Sequence, residues 1–105
     1  MDKISDNIKG KILKFIDLLE LNNIHIQKAI LYGSYAAGHN NEYSDIDLAL
    51  VSDNFSGDIW EDKKLLRKFK AEVSWDLSPM PFRTEEFDNS YFVRDEIIEK
   101  GIRII

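Results

Sequence analysis

Within 105 residues the spacing of apolar side chains changes period several times, and that alternation restricts the chain to folds in which helices and strands form layers. Around residues 5–21, Ile4, Ile8, Ile12, Phe15, Ile16 and Leu19 recur every three or four positions, with Lys9, Lys11, Lys14 and Asp17 largely off that stripe. The spacing predicts a helix, capped by Ser5 or Asp6 and ended by Asn22-Asn23. Residues 26–32 are apolar and partly β-branched, which predicts a strand stopped by Gly33-Ser34. Residues 35–38 suit one helical turn, and His39-Asn40-Asn41-Glu42 reads as a polar loop. Over residues 44–51 the period becomes two: Ile46, Leu48 and Leu50 alternate with Asp45, Asp47 and Ala49, the pattern of a second strand.

The remainder continues the alternation. After a loop at 52–58, residues 59–71 predict a helix with Trp60, Leu65, Leu66 and Phe69 as apolar positions and five basic residues between Lys63 and Lys70. Val73, Trp75 and Leu77 alternate with Ser74 and Asp76, predicting a third strand, and Pro79 and Pro81 are expected to exclude regular structure after it. Thr84 is expected to cap a short turn, residues 91–100 to form a last helix stopped by Gly101, and residues 102–105 to add a final strand. The whole reads as one α/β (α+β) domain over residues 1–105, a small mixed β-sheet with helices packed on one face.

Composition narrows the function classes. The absence of cysteine excludes disulfides and thiolate metal sites. With no signal-peptide pattern at the N-terminus and no apolar run long enough for a bilayer, the expected location is cytoplasmic, with no membrane partner. A formal charge of −5 argues against direct nucleic-acid binding, which ordinarily calls for a basic excess. The basic run from Lys63 to Lys70 reads first as a solvated helix face, with contact to nucleic acid or an acidic partner as the alternative, and Trp60, Phe69, Trp75, Phe82 and Phe92 read as core or interface positions.

The chemistry concentrates between Leu31 and Val51. Gly33-Ser34 follows a strand and precedes a helical turn, where glycine permits close backbone approach and the hydroxyl and N–H groups suit phosphate oxygens. Asp45 and Asp47 are separated by one residue on a strand, so their carboxylates stand on one face. Two such charges repel unless hard divalent cations, Mg²⁺ or Mn²⁺, sit between them. Paired metal ions can stabilise both attacking and leaving oxygens of an in-line phosphoryl displacement. Asp76, between Trp75 and Leu77, would complete a metal site and accept a proton if its strand lies beside that of Asp45 and Asp47.

Gly33-Ser34 followed by Ser44-Asp45-Ile46-Asp47-Leu48 resembles the signature of the DNA polymerase β-type nucleotidyltransferase superfamily, and the short chain, Tyr35 and Trp75-Asp76-Leu77 resemble its minimal (MNT) subgroup. The resemblance implies transfer of AMP from ATP to a hydroxyl, with two Mg²⁺ ions on Asp45, Asp47 and Asp76 and the triphosphate on Gly33 and Ser34. It also implies an antitoxin acting on a HEPN-domain toxin, the acceptor being a tyrosine of that partner. Many members carry Arg where this chain has Ala37, and His39 is the nearby side chain that would compensate weakly. Two other functions fit the same residues. One is an MNT-fold binding module that neutralises a HEPN ribonuclease by complex formation. The other is a small-molecule, aminoglycoside-type transferase, for which a homo-oligomer would build a pocket between subunits.

Overall fold

The computed structural model describes residues 4–38 and 45–105. Helix α1 (Asp6–Leu21) starts at Ser5, whose hydroxyl accepts the Ile8 N–H at 3.3 Å, and buries Ile8, Ile12, Phe15, Ile16 and Leu19. It ends where Asn23 enters the left-handed region at φ 65°. Strand β1 (Lys28–Tyr32) leads into the single turn α2 (Ser34–Ala37), and β2 (Ile46–Val51) returns antiparallel to β1. Helix α3 (Ile59–Lys70) crosses over to β3 (Leu77–Phe82), which runs parallel to β2. The short helix α4 (Thr84–Asp88), a π-helix (Val93–Ile98) and β4 (Ile102–Arg103) complete the order, and the sheet runs β3-β2-β1-β4. The loop expected at 39–42 and Ser44 lie outside the described residues.

The sheet separates two cores. On one face Ile46, Leu48, Leu50, Leu31 and Leu77 meet the apolar stripes of α1 and α3, including Phe15, Leu19, Leu66 and Phe69. This is the helical layer that the sequence indicates. On the other face Ile30, Ala49 and Val51 meet a smaller set, Phe87 from α4 and Val93 and Ile97 from the π-helix. Gly101 lets the π-helix close against β1: its N–H donates to Ile97 O at 2.8 Å, and a Cβ there would overlap that carbonyl and crowd Ile30. Among the described residues no helix is long and apolar enough to cross a membrane.

Three expectations are corrected. Residues 73–76 form a turn, and the third strand is Leu77–Phe82, which contains both prolines. The hydrogen bonds explain this. Asp76 O accepts from Ile46 N and Phe82 O from Ser52 N, so the even-numbered residues of β3 face β2. Pro79 and Pro81 therefore direct their N–H-less nitrogens to the open edge of the sheet, where none is needed. The cap of α4 is Arg83 rather than Thr84; its N–H donates to Glu86 Oε1 at 3.1 Å. Of the aromatic positions expected in core or interface, Trp60 and Trp75 lie outside the core, 80 % and 67 % exposed. Packing on α3 is carried by Leu66 and Phe69 together with a buried acid.

That acid is Asp62, 5 % exposed, whose carboxylate accepts from Ser56 N at 2.8 Å, Ser56 Oγ at 2.9 Å and Gly57 N at 3.1 Å. It ties the β2–α3 loop onto α3. Asp62→Ala leaves these donors without their charged acceptor and should lower unfolding stability by about 2 kcal/mol, read from urea denaturation with an unchanged slope.

Candidate active site

The end of β1 and the start of β2 place the candidate groups. Tyr32 pairs with Asp47 across the antiparallel ladder. Cross-strand partners share a face, so Asp47 lies on the side of Ile30, Ala49 and Val51, at the rim of the smaller core. The chain then turns at Gly33, with φ 73° and ψ −149°, a conformation essentially restricted to glycine. The turn brings the Gly33 backbone against the Asp47 carboxylate: a Cβ at Gly33 would overlap Oδ2 and sit 3.1 Å from Cγ. Ser34 opens α2 directly after it, and Gly38 closes that turn in the left-handed region, its N–H donating to Ser34 O. Ala37 lies in α2, and His39 lies outside the described residues.

Asp45 is exposed and Asp47 is partly buried. Burial raises the Asp47 carboxyl above its ordinary value, and the neighbouring Asp45 charge raises it further. Neither carboxylate is ion-paired with a basic side chain among the described residues. Burial likewise raises the Tyr32 phenol, with Asp47 adding to the effect, and the Tyr32 ring stands edge-on to Phe92 at 6.2 Å between centroids. Two adjacent, mutually repelling carboxylates, one of them desolvated, form a donor set suited to a hard divalent cation.

Asp76 is placed differently. Its backbone is next to the site, since its carbonyl accepts the Ile46 N–H at 2.7 Å, but its carboxylate binds Lys11 Nζ of α1 at 2.9 Å and the Ser74 hydroxyl. Burial opposes its ionisation. The hydrogen bonds from Ser74 and Lys11 and the Lys11 charge outweigh that and hold its pKa below the ordinary value. Among the described residues no three His, Cys, Asp or Glu side chains converge on one cation-sized point. The structure thus joins Asp45 and Asp47 beside Gly33 and Ser34, and holds Asp76 on Lys11.

A depressed carboxyl pKa contributes stability above its unfolded value that is lost as pH falls through the folded value. Lys11→Met should therefore lower Tm at pH 7, and the difference should vanish in acid below the ordinary value of 3.8. The pair is partly exposed, at 28 % and 36 %, so water screens it and the effect at pH 7 should not exceed about 1 kcal/mol.

Sequence reasoning did not single out Tyr32, Lys11 or Ser74. Tyr32 carried a usable signal, because it directly precedes the glycine turn at a strand end. Its pairing with Asp47 needs the strand register, and the Lys11–Asp76 pair spans 65 positions that only tertiary packing brings together.

The site can be set beside known proteins. No curated protein sequence matches the chain. A solved structure described as "Crystal structure of the toxin-antitoxin with AMP-PNP" is similar over 90 % of this chain and 70 % of that one, with 26 % sequence identity and a TM-score of 0.55. The family "Polymerase beta, Nucleotidyltransferase" matches residues 13–105. That span holds the glycine turn, the aspartate pair and every strand of the sheet, and the chain belongs to the polymerase β nucleotidyltransferase family.

Proposed function

We propose that this chain is an antitoxin that transfers AMP from ATP to a hydroxyl of a partner HEPN toxin, a tyrosine being the acceptor. The observation that carries the reading is the Asp47 carboxylate lodged against Gly33 and raised by burial and by Asp45. The family supports nucleotidyl transfer, and the similar structure, a toxin–antitoxin with AMP-PNP, supports the partner class and an adenine nucleotide. Asp45 and Asp47 would hold Mg²⁺ or Mn²⁺, two ions in the full reading, and bound metal would supply the positive charge that offsets the phosphates. Gly33 and Ser34 would seat the triphosphate. The acceptor oxygen bonds the α-phosphorus, the bond from that phosphorus to the bridging oxygen breaks, and pyrophosphate leaves with the electron pair. Asp76 would serve as third ligand and proton acceptor only after exchanging Lys11 for the site, because an ion-paired carboxylate is a poor base.

That ion pair is also the observation favouring a second reading, an MNT-fold module that neutralises the toxin by binding with weak or no transfer. Incubation with α-labelled ATP, Mg²⁺ and a candidate HEPN toxin separates the two. Label on the partner that disappears with a tyrosine-to-phenylalanine change in it supports the transferase. A tight, unlabelled complex that survives Asp45→Ala and Asp47→Ala selects the binding module.

A further inference from the structure

Helix α3 and the edge strand β3 enclose an open groove of about 360 Å³ lined by Trp60, Lys63, Lys64, Arg67, Lys70, Ser78 and Pro79, with Ser78 paired with Asp47 across the β2–β3 ladder. Five of the 14 basic residues of a chain with net charge −5 lie on this one helix. Lys70 is already engaged: its Nζ donates to Leu77 O at 2.9 Å and lies over the Trp75 ring at 5.9 Å from the centroid. Lys63, Lys64 and Arg67 are exposed and have no ion-pair partner among the described residues. Trp60 stands beside them with 80 % of its surface in water.

We propose that this groove is a protein-docking surface whose occupant is an acidic amphipathic α-helix of a partner. Three observations select that occupant. Trp60, Lys63, Lys64 and Arg67 occupy positions i, i+3, i+4 and i+7 of α3, one continuous helix face, the spacing with which a second helix packs alongside. The charge of the face is opposite to that of the rest of the chain, which calls for a negatively charged partner surface. An exposed tryptophan beside an arginine supplies two of the residue types that most often anchor interfaces. Addition of a strand at this edge is disfavoured, since Pro79 and Pro81 present no N–H there. The net charge of −5 also disfavours a long polyanion such as RNA over a short acidic helix. The docking argument does not rest on nucleotidyl transfer, because it uses only the α3 side chains Trp60, Lys63, Lys64 and Arg67, none of which is assigned a role in that chemistry.

The test uses the full chain and a labelled, capped helical peptide of about 16 residues, with Glu at i, i+3, i+4 and i+7 beside a Leu stripe, followed by fluorescence anisotropy at low salt. Expected is saturable binding that weakens at least about tenfold in Trp60→Ala and in the double variant Lys64→Glu, Arg67→Glu, and several-fold between roughly 50 and 300 mM salt. Circular dichroism checks that the variants keep their helix content, and Lys63→Ser offers a milder surface change expected to weaken binding about threefold. The proposal is overturned by absence of binding or by binding that the variants leave unchanged. Equal binding of a scrambled peptide with its acids spread around the helix overturns it as well. A single-stranded 12-nucleotide RNA that binds more tightly than the peptide and loses affinity in the same variants would assign the groove to nucleic acid instead.

Discussion

Asp47→Asn should abolish nucleotidyl transfer, lowering the rate by about a thousandfold or more, while making the metal-free protein more stable at neutral pH. The rate loss follows from the proposed role: an amide is a poor ligand for a hard divalent cation, and metal stabilisation of phosphoryl transfer is worth several kcal/mol. The stability gain follows from linkage. Burial and Asp45 raise the Asp47 carboxyl, so the folded chain holds this proton more tightly than the unfolded chain. Stability is then greatest below the ordinary value of 3.8 and is lost as pH rises through the higher folded value. Above that window the ionised carboxylate weakens the fold, and an asparagine does not. Thermal melts at pH 7 and in acid check the sign: the variant should melt higher at neutral pH, and the gap should close in acid. Adding Mg²⁺ should raise the melting temperature of the parent and leave the variant unmoved, because ligand bound only to the folded state stabilises by mass action. A variant that keeps full transfer activity would remove Asp47 from the site.

Gly33→Ala should separate geometry from charge at the same place. No acidic group is altered, yet the backbone at φ 73° and ψ −149° excludes a side chain, and the new methyl group would overlap Asp47 Oδ2. The backbone strain costs about 1–3 kcal/mol. The carboxylate is the mobile end of its side chain, so it yields to the methyl group more cheaply than backbone would, and the larger loss falls on activity. A displacement of about 1 Å in a positioned catalytic group costs on the order of a hundredfold in rate. The expected result is a folded protein with a lowered urea midpoint, at least about a hundredfold slower transfer and a weakened melting response to Mg²⁺. A variant as active as the parent would show that the close approach of Gly33 to Asp47 has no part in the chemistry.

Much of this architecture was legible because it rests on local periodicity. The stripe Ile8, Ile12, Phe15, Ile16, Leu19 must face one way on a helix, and it is the buried face of α1. Ile46, Leu48 and Leu50 must share one side of a strand, which obliges Asp45 and Asp47 to share the other. The pair and the glycine before it were therefore readable as neighbours in type and spacing. The edge strand was misplaced for an equally local reason: prolines exclude a ladder only where their nitrogen faces a partner, and sequence does not tell which side is open. Trp60 and Trp75 carry apolar weight in any periodicity count, yet α3 turns Leu66 and Phe69 inward and leaves Trp60 in water, and the turn before β3 leaves Trp75 there too. A register cannot be read from one strand alone, so the pairing of Tyr32 with Asp47 and the lodging of Asp47 against Gly33 were not available beforehand.

By itself the sequence determined α1, α3 and the two central strands, which residue types line the aspartate strand, and where the chain must bend at Gly33, because these depend on side-chain spacing and glycine sterics within a few residues. The tertiary structure alone decided the partners of each charge. It set Asp45 and Asp47 in mutual repulsion beside the glycine turn, gave Asp76 to Lys11, buried Asp62 under its own loop and left the cations of α3 facing a groove. Charges interact through space, and the distances that rank those interactions exist only once the chain has folded.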